Sequence, residues 1–214
     1  MNPSVLLRRS GWITVTVLAT AIALLSARYL TLDPETFLEE QRATYLASLA
    51  PLTLHVGGAV LALALGPWQF LPRLRLRWPR VHRLLGRVYL AGAVATAAGG
   101  LLLVPKGLFG PIAPAGFAAL AVGVLATSTA AFAAIRRRRV ARHQVWMIRS
   151  YALIFTGVTF RLWLIVCSAA GVPFEQAYTS GAWAAWLVNL LVAEQVIARR
   201  ATGPSVRSGR TVQP

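Results

Sequence analysis

The chain has 214 residues, of which 57% are hydrophobic and only 13% charged, with 22 Lys and Arg against 6 Asp and Glu. That composition excludes an ordinary water-soluble domain. The net charge of +16 does not call for a nucleic-acid partner, because the arginines fall in short segments between long apolar runs, where membrane topology already demands them.

About 20 apolar residues cross ~30 Å of hydrocarbon, and six runs of that kind are predicted. The first, about 11–30, follows Arg8 and Arg9. Its uncharged stretch from Ser10 to Ala27 is long for a signal-peptide core and five more runs follow, so it reads as an uncleaved anchor; "RRSGW" is a poor twin-arginine signal. The segment 31–44, "TLDPETFLEEQRAT", reads as an acidic external loop with a short surface helix beginning after Asp33-Pro34. The second span, about 45–71, lies in a charge-free stretch between Arg42 and Arg73, and "LGPWQF" reads as its end, a Gly-Pro break with an aromatic belt. The third span, about 84–105, leads to the external turn "KGLFGPIAPAG", and the fourth, about 114–135, follows it. The fifth, about 146–169, leads to a second external turn, "GVPFEQAYTSG", and the sixth is about 180–198. The remainder, 201–214, is polar and Gly/Ser-containing, which predicts a disordered tail. The lone cysteine, Cys167, excludes an intrachain disulfide and any multi-cysteine cluster, and reads as a packing residue.

The charges are segregated. Eighteen of the 22 basic residues (Arg8, Arg9, the Arg73–Arg87 cluster, Arg136–Arg142, Arg149 and four arginines after position 198) fall on one side of a six-span chain. Five of the six acids, Asp33, Glu35, Glu39, Glu40 and Glu175, fall on the other. Positive residues stay inside, so the expected fold is an all-α, six-helix integral membrane bundle of the plasma membrane, with both termini cytoplasmic and the basic side against anionic headgroups.

Two inner loops echo one another. "RWPRVHRLLGRVYLAGA" joins the second and third spans and "RVARHQVWMIRSYALIF" the fourth and fifth, so Arg80, His82, Arg87 and Tyr89 match Arg142, His143, Arg149 and Tyr151. A duplicated hairpin about a pseudo-two-fold axis along the membrane normal is the expected cause. His143 and Arg161 are 18 residues apart, five whole turns or about 27 Å, and so share a face on one continuous helix. His55 and Gln69, 14 residues apart, lie within about 40° of one another. Two polar layers follow: Gln69, His82, Arg83, Arg87, His143, Arg149 and Glu194 near the inner surface, and His55 with Arg161 in the outer half. Charges in hydrocarbon face the bundle interior or water, so this stripe should look inward.

Three chemistries suit the inner layer. His82 and His143, with Tyr89 and Tyr151 beside them, are placed to ligate a b-type haem or flank a quinone, for electron transfer. A metal site of His82, His143 and Glu194 is the weaker option, because Glu194 more simply pairs with Arg199 or a loop arginine; no metal is expected. Arg83, Arg87 and Arg149, with Gln69, form the third candidate, a site for an anionic lipid or small acidic ligand in a non-catalytic binding or carrier protein. A purely structural subunit, of a homo-oligomer or larger membrane assembly, is the remaining alternative. In the outer half, His55 and Arg161 are expected to bond one another and stitch the second span to the fifth. No nucleophile–base–orienter set and no phosphate-binding glycine loop is legible.

"HVGGAVLALALGPWQF", "HRLLGRVY" and "RHQVWMIRSYALIFTGVTFRLWL" together resemble a bacterial family of uncharacterised predicted membrane proteins, the domain of unknown function 2306. The resemblance covers about residues 45–170 and implies a multi-pass membrane protein whose His55, His82, His143, Arg149 and Arg161 fall in the family's motifs. It implies no activity.

Overall fold

The computed structural model describes the backbone of residues 3–201 and the side chains of residues 10–200. The side chains of Arg8 and Arg9, and the tail expected beyond Ala201, lie outside the described residues. The described residues are 88% helical, with no strand among them. Its α-helices are α1 (Pro3–Ala27), α2 (Glu39–Leu46), α3 (Leu49–Gln69), α4 (Pro72–Arg77), α5 (Pro79–Leu103), α6 (Ile112–Arg136), α7 (Val140–Ile154), α8 (Thr156–Ala169) and α9 (Phe174–Ala201). Six segments are long and apolar enough to cross a membrane: Ser10–Thr31, Leu49–Gln69, Pro79–Lys106, Ile112–Arg136, Val140–Ala169 and Phe174–Arg200.

The packing is that of a membrane protein. Ala19, Ala62, Ala93 and Ala131 are buried, together with Ser26, Thr96, Ser128, Ser150 and Thr156, whereas Leu24, Leu61, Leu102, Val122, Ile165 and Leu191 are exposed. Small and hydroxyl-bearing residues inside with large aliphatics outside suit helices that associate by close approach in an apolar solvent. The most extensive contact is between α3 and α5. At its centre a Cβ on Gly58 would stand 2.5 Å from the Gly92 carbonyl oxygen and would fall on the Thr96 backbone nitrogen.

Several boundaries differ from expectation, each for a local reason. Residues 45–48 do not belong to α3: α2 ends at Leu46, and Ser48 (φ −148°, ψ 41°) turns the chain. Pro34–Thr36 form only a 3-10 turn, capped by Glu35 N–H donating to Asp33 Oδ1 at 3.0 Å. The acidic loop is fastened by Phe37, which is buried with Leu52 and Val56. α5 begins at Pro79, not near 84, because a proline in the first turn forfeits an N–H that would be unpaired anyway. α9 begins at Phe174, so most of the second expected turn is helical; Gly181 there makes room for the rings of Phe160 and Trp163.

"LGPWQF" does end α3, at Gln69, but without the expected Gly-Pro break, since the helix continues through Pro67. Pro67 has no N–H to give the Leu63 carbonyl, so that carbonyl is orphaned in the helix ladder. The Tyr151 hydroxyl, from α7, donates to it at 3.4 Å. The Pro67 carbonyl in turn accepts from Trp12 Nε1 at 3.0 Å, which docks α1 on α3. The fifth span is likewise not one helix. Phe155 (φ −63°, ψ −9°) separates α7 from α8, so His143 and Arg161, expected on one continuous helix, stand on two.

Candidate functional site

The basic end of the bundle carries α4, the start of α5, the α6–α7 turn and the last turns of α9. Gln69 closes α3 and is buried, and its Oε1 lies 3.1 Å from the position a Cβ would take on Gly86. His82 sits one helical turn before Gly86 and so on the same face of α5. Gln69 Nε2 and His82 Nδ1 are both buried without a hydrogen-bond partner. Arg75 and His143 share the electrostatic surroundings of His82, so the two echo histidines do lie in one neighbourhood. Their bonding differs. His143 Nδ1 is 2.9 Å from the Ala131 carbonyl, which can only accept, so Nδ1 carries the proton and Nε2 presents a lone pair.

The arginines divide. Arg83 and Arg87 are exposed on α5. Arg149 is already spent: its Nε and Nη2 donate to the two oxygens of Glu194 at 2.6 and 2.9 Å, and its guanidinium lies 4.7 Å from the centre of the Trp146 ring. Glu194 is therefore the partner of Arg149 and not of Arg199, and it is not offered to the histidines. No group of three His, Cys, Asp or Glu with metal-holding geometry occurs among the described residues.

Deeper in, a chain of hydroxyls ties three helices. Tyr89 Oη and Ser150 Oγ are 2.8 Å apart, Ser150 and Ser128 Oγ atoms 2.9 Å, and all three residues are buried. Tyr89 of the first hairpin thus reaches α7, while Tyr151 of the second reaches α3. The interval between α5 and α7 beyond the histidines is filled: the Tyr151 ring is 6.3 Å from Tyr89, 5.7 Å from Phe70 and 6.1 Å from Phe155. Ser150→Ala should cost about 1–3 kcal/mol, because it strands two buried hydroxyls. Adding Tyr89→Phe should then cost less than that change costs alone. Thermal unfolding of the purified protein in detergent measures both; strictly additive losses would show that the hydroxyls are not a chain.

At the acidic end His55 and Arg161 do not bond one another. His55 Nδ1 donates to the Thr96 carbonyl at 2.8 Å and lies 3.2 Å from Thr96 Oγ1, so it ties α3 to α5. Arg161 ties α8 to α1, with Nη1 donating to the Gly157 carbonyl at 2.7 Å and Nη2 to Ser26 Oγ at 3.0 Å. The two residues share an electrostatic neighbourhood with Tyr29 and Tyr45. Tyr45 donates to Gln41 Oε1, and Gln41 Nε2 donates to Tyr178 Oη at 3.0 Å, so α2 is bonded to α9 across this end. Burial, with Tyr178 and Tyr29 close by, pushes the Tyr45 hydroxyl well above the usual phenol range, and it stays a donor. Ser26, Tyr29, Gln41, Tyr45 and Tyr178 are absent from the sequence-based set. The only signal for them was the i, i+4 spacing of Gln41 and Tyr45 in the acidic loop.

The family model described as "Predicted membrane protein (DUF2306)" matches residues 52–197. Those bounds take in both hairpins, both polar layers and the Arg149–Glu194 pair. No curated protein and no solved structure matches the chain.

Proposed function

The chain belongs to this family of predicted membrane proteins, and from that premise we propose that it is a plasma-membrane protein, basic end inside, that holds an anionic lipid headgroup or small acidic solute at that end. The orientation follows from the positive-inside rule. One observation carries the ligand: Gln69 Nε2 and His82 Nδ1 are both buried and unpartnered at this end, and each such group costs free energy until something bonds it. The Nδ1–H tautomer of His82 and the Gln69 amide would both donate to an oxyanion. Exposed Arg83 and Arg87 supply the field that draws it in. Arg149 serves the site as architecture, since its fork is filled by Glu194.

Native mass spectrometry of protein reconstituted with phosphatidylglycerol, or titration with inorganic phosphate, tests the site. Gln69→Leu with His82→Ala should weaken the retained anion about tenfold, the cost of roughly one charge-assisted hydrogen bond. Unchanged retention of both anions by a folded double variant would sink the reading. A second reading, electron transfer through a b-type haem or quinone held by His82 and His143, has one observation in its favour: the His143 Nδ1–Ala131 bond leaves Nε2 bare, as in many ligating histidines. The aromatic filling between α5 and α7 weighs against it. A Soret band in the purified protein, lost in His82→Ala and in His143→Ala, would reverse that ranking.

A further inference from the structure

We propose that the polar cluster around Arg161 is a second binding site, for a carboxylate- or phosphate-bearing ligand, at the end of the bundle opposite the site above. A guanidinium cannot shed its proton in a protein, and a charge held inside a helical bundle needs a counter-charge. Among the described residues Arg161 receives none. The ion pairs formed among the described residues are Arg42 with Glu35 and Arg149 with Glu194, and Arg161 is in neither. Its two bonds are to a carbonyl and a serine hydroxyl, which spend two of the five guanidinium N–H groups and return no charge.

The groups within electrostatic reach of Arg161 are chemically of one kind. Tyr29 and Tyr45 bring phenols, and His55 brings an imidazole whose Nδ1 is fixed on Thr96. These are groups that bond an oxyanion alongside an arginine fork. Above them lies α2, an eight-residue helix anchored by Phe37 and bonded through Gln41 to Tyr178 of α9. α2 also carries Arg42, whose Nε is buried without an acceptor. The ligand therefore meets Arg161 at the acidic end. Carboxylates on α2 and in the loop before it (Asp33, Glu35, Glu39, Glu40) are exposed and set the surface charge of that approach, while the interior beneath stays cationic.

Titration calorimetry on the purified full chain in neutral detergent, at constant ionic strength set with chloride, tests the site with two soluble probes, inorganic phosphate and butyrate. A third arm measures phosphatidylglycerol against phosphatidylcholine retained after detergent exchange. The wild-type chain should bind at least one anionic probe saturably. Arg161→Gln should weaken it about thirtyfold or more, and Arg161→Lys, which keeps the charge but not the fork, should weaken it less. Saturation by a soluble probe identifies a solute site, and selective retention of phosphatidylglycerol identifies a headgroup. The Arg161 variants are compared in a Gln69→Leu, His82→Ala background, which weakens the site at the basic end, so that the binding lost is that at Arg161. Should Arg161→Gln not fold, Tyr29→Phe with Tyr45→Phe replaces it and should weaken binding about tenfold. A folded wild-type chain that binds none of the three anions, or variants that bind the anion as tightly as wild type, would overturn the proposal.

Discussion

Gly58→Ala is expected to cost about 3 kcal/mol of stability, the upper part of the range for forcing extra volume into a packed core. The added methyl meets backbone and not a movable side chain: the Thr96 nitrogen and the Gly92 carbonyl oxygen of α5 stand where it would go. α3 and α5 would have to separate along the most extensive helix contact in the bundle, and His55 and Thr96, which bond across it, would separate with them. Gly57→Ala is the internal control. Nothing lies within 4 Å of a Cβ at Gly57, so the same methyl one residue away should be neutral or slightly stabilising through helix propensity. For a chain of this size the midpoint in detergent should fall by roughly 6–12 °C in Gly58→Ala and hold in Gly57→Ala. Equal midpoints for the two variants would mean that α3 and α5 are not apposed at Gly58.

The six spans were legible because hydropathy and charge segregation are properties of whole segments. Where the sequence reading failed, a residue had acted against its usual local meaning. Pro67 normally stops a helix, yet Tyr151, 84 positions further along the sequence, bonds the carbonyl it orphans, and a tertiary bond of that kind leaves no local trace. Gly181 signals a turn but serves the contact of α9 with two rings of α8. Phe155 carries no breaker signal and yet divides the fifth span, so the single helix argued for His143 and Arg161 is two. The pairing of Glu194 was foreseen in kind but not in partner, because Arg149 and Glu194 lie on different helices. The basic-end layer was legible from depth alone: Gln69, His82 and His143 do gather there. The acidic-end cluster was not, since it is assembled from single tyrosines and a glutamine on elements far apart in the chain, with only Arg161 and His55 conspicuous in an apolar run.

Gly66→Ala should cost about 2–3 kcal/mol, and the loss should depend on Tyr151. A Cβ on Gly66 would fall within the Tyr151 ring. That ring is only 7% exposed and is hemmed by Phe70, Tyr89 and Phe155, so it has no clear direction in which to swing. Tyr151→Phe keeps the overlap and removes only the bond to the Leu63 carbonyl, so it should cost about 1 kcal/mol alone and give no relief to Gly66→Ala. Tyr151→Leu empties the space the methyl needs, and in the double variant the losses should fall short of their sum by about 1 kcal/mol or more. The same displacement has a functional reading. Gln69 is three residues beyond Gly66, in the last turn of α3, so pushing that turn away from α7 carries the Gln69 amide away from His82. Gly66→Ala should therefore weaken anion retention at the basic end while leaving binding at Arg161 intact. Additive stabilities in the cycle, or a loss of binding at both ends together, would mean that the methyl acts through general loosening of the bundle and not through this one ring.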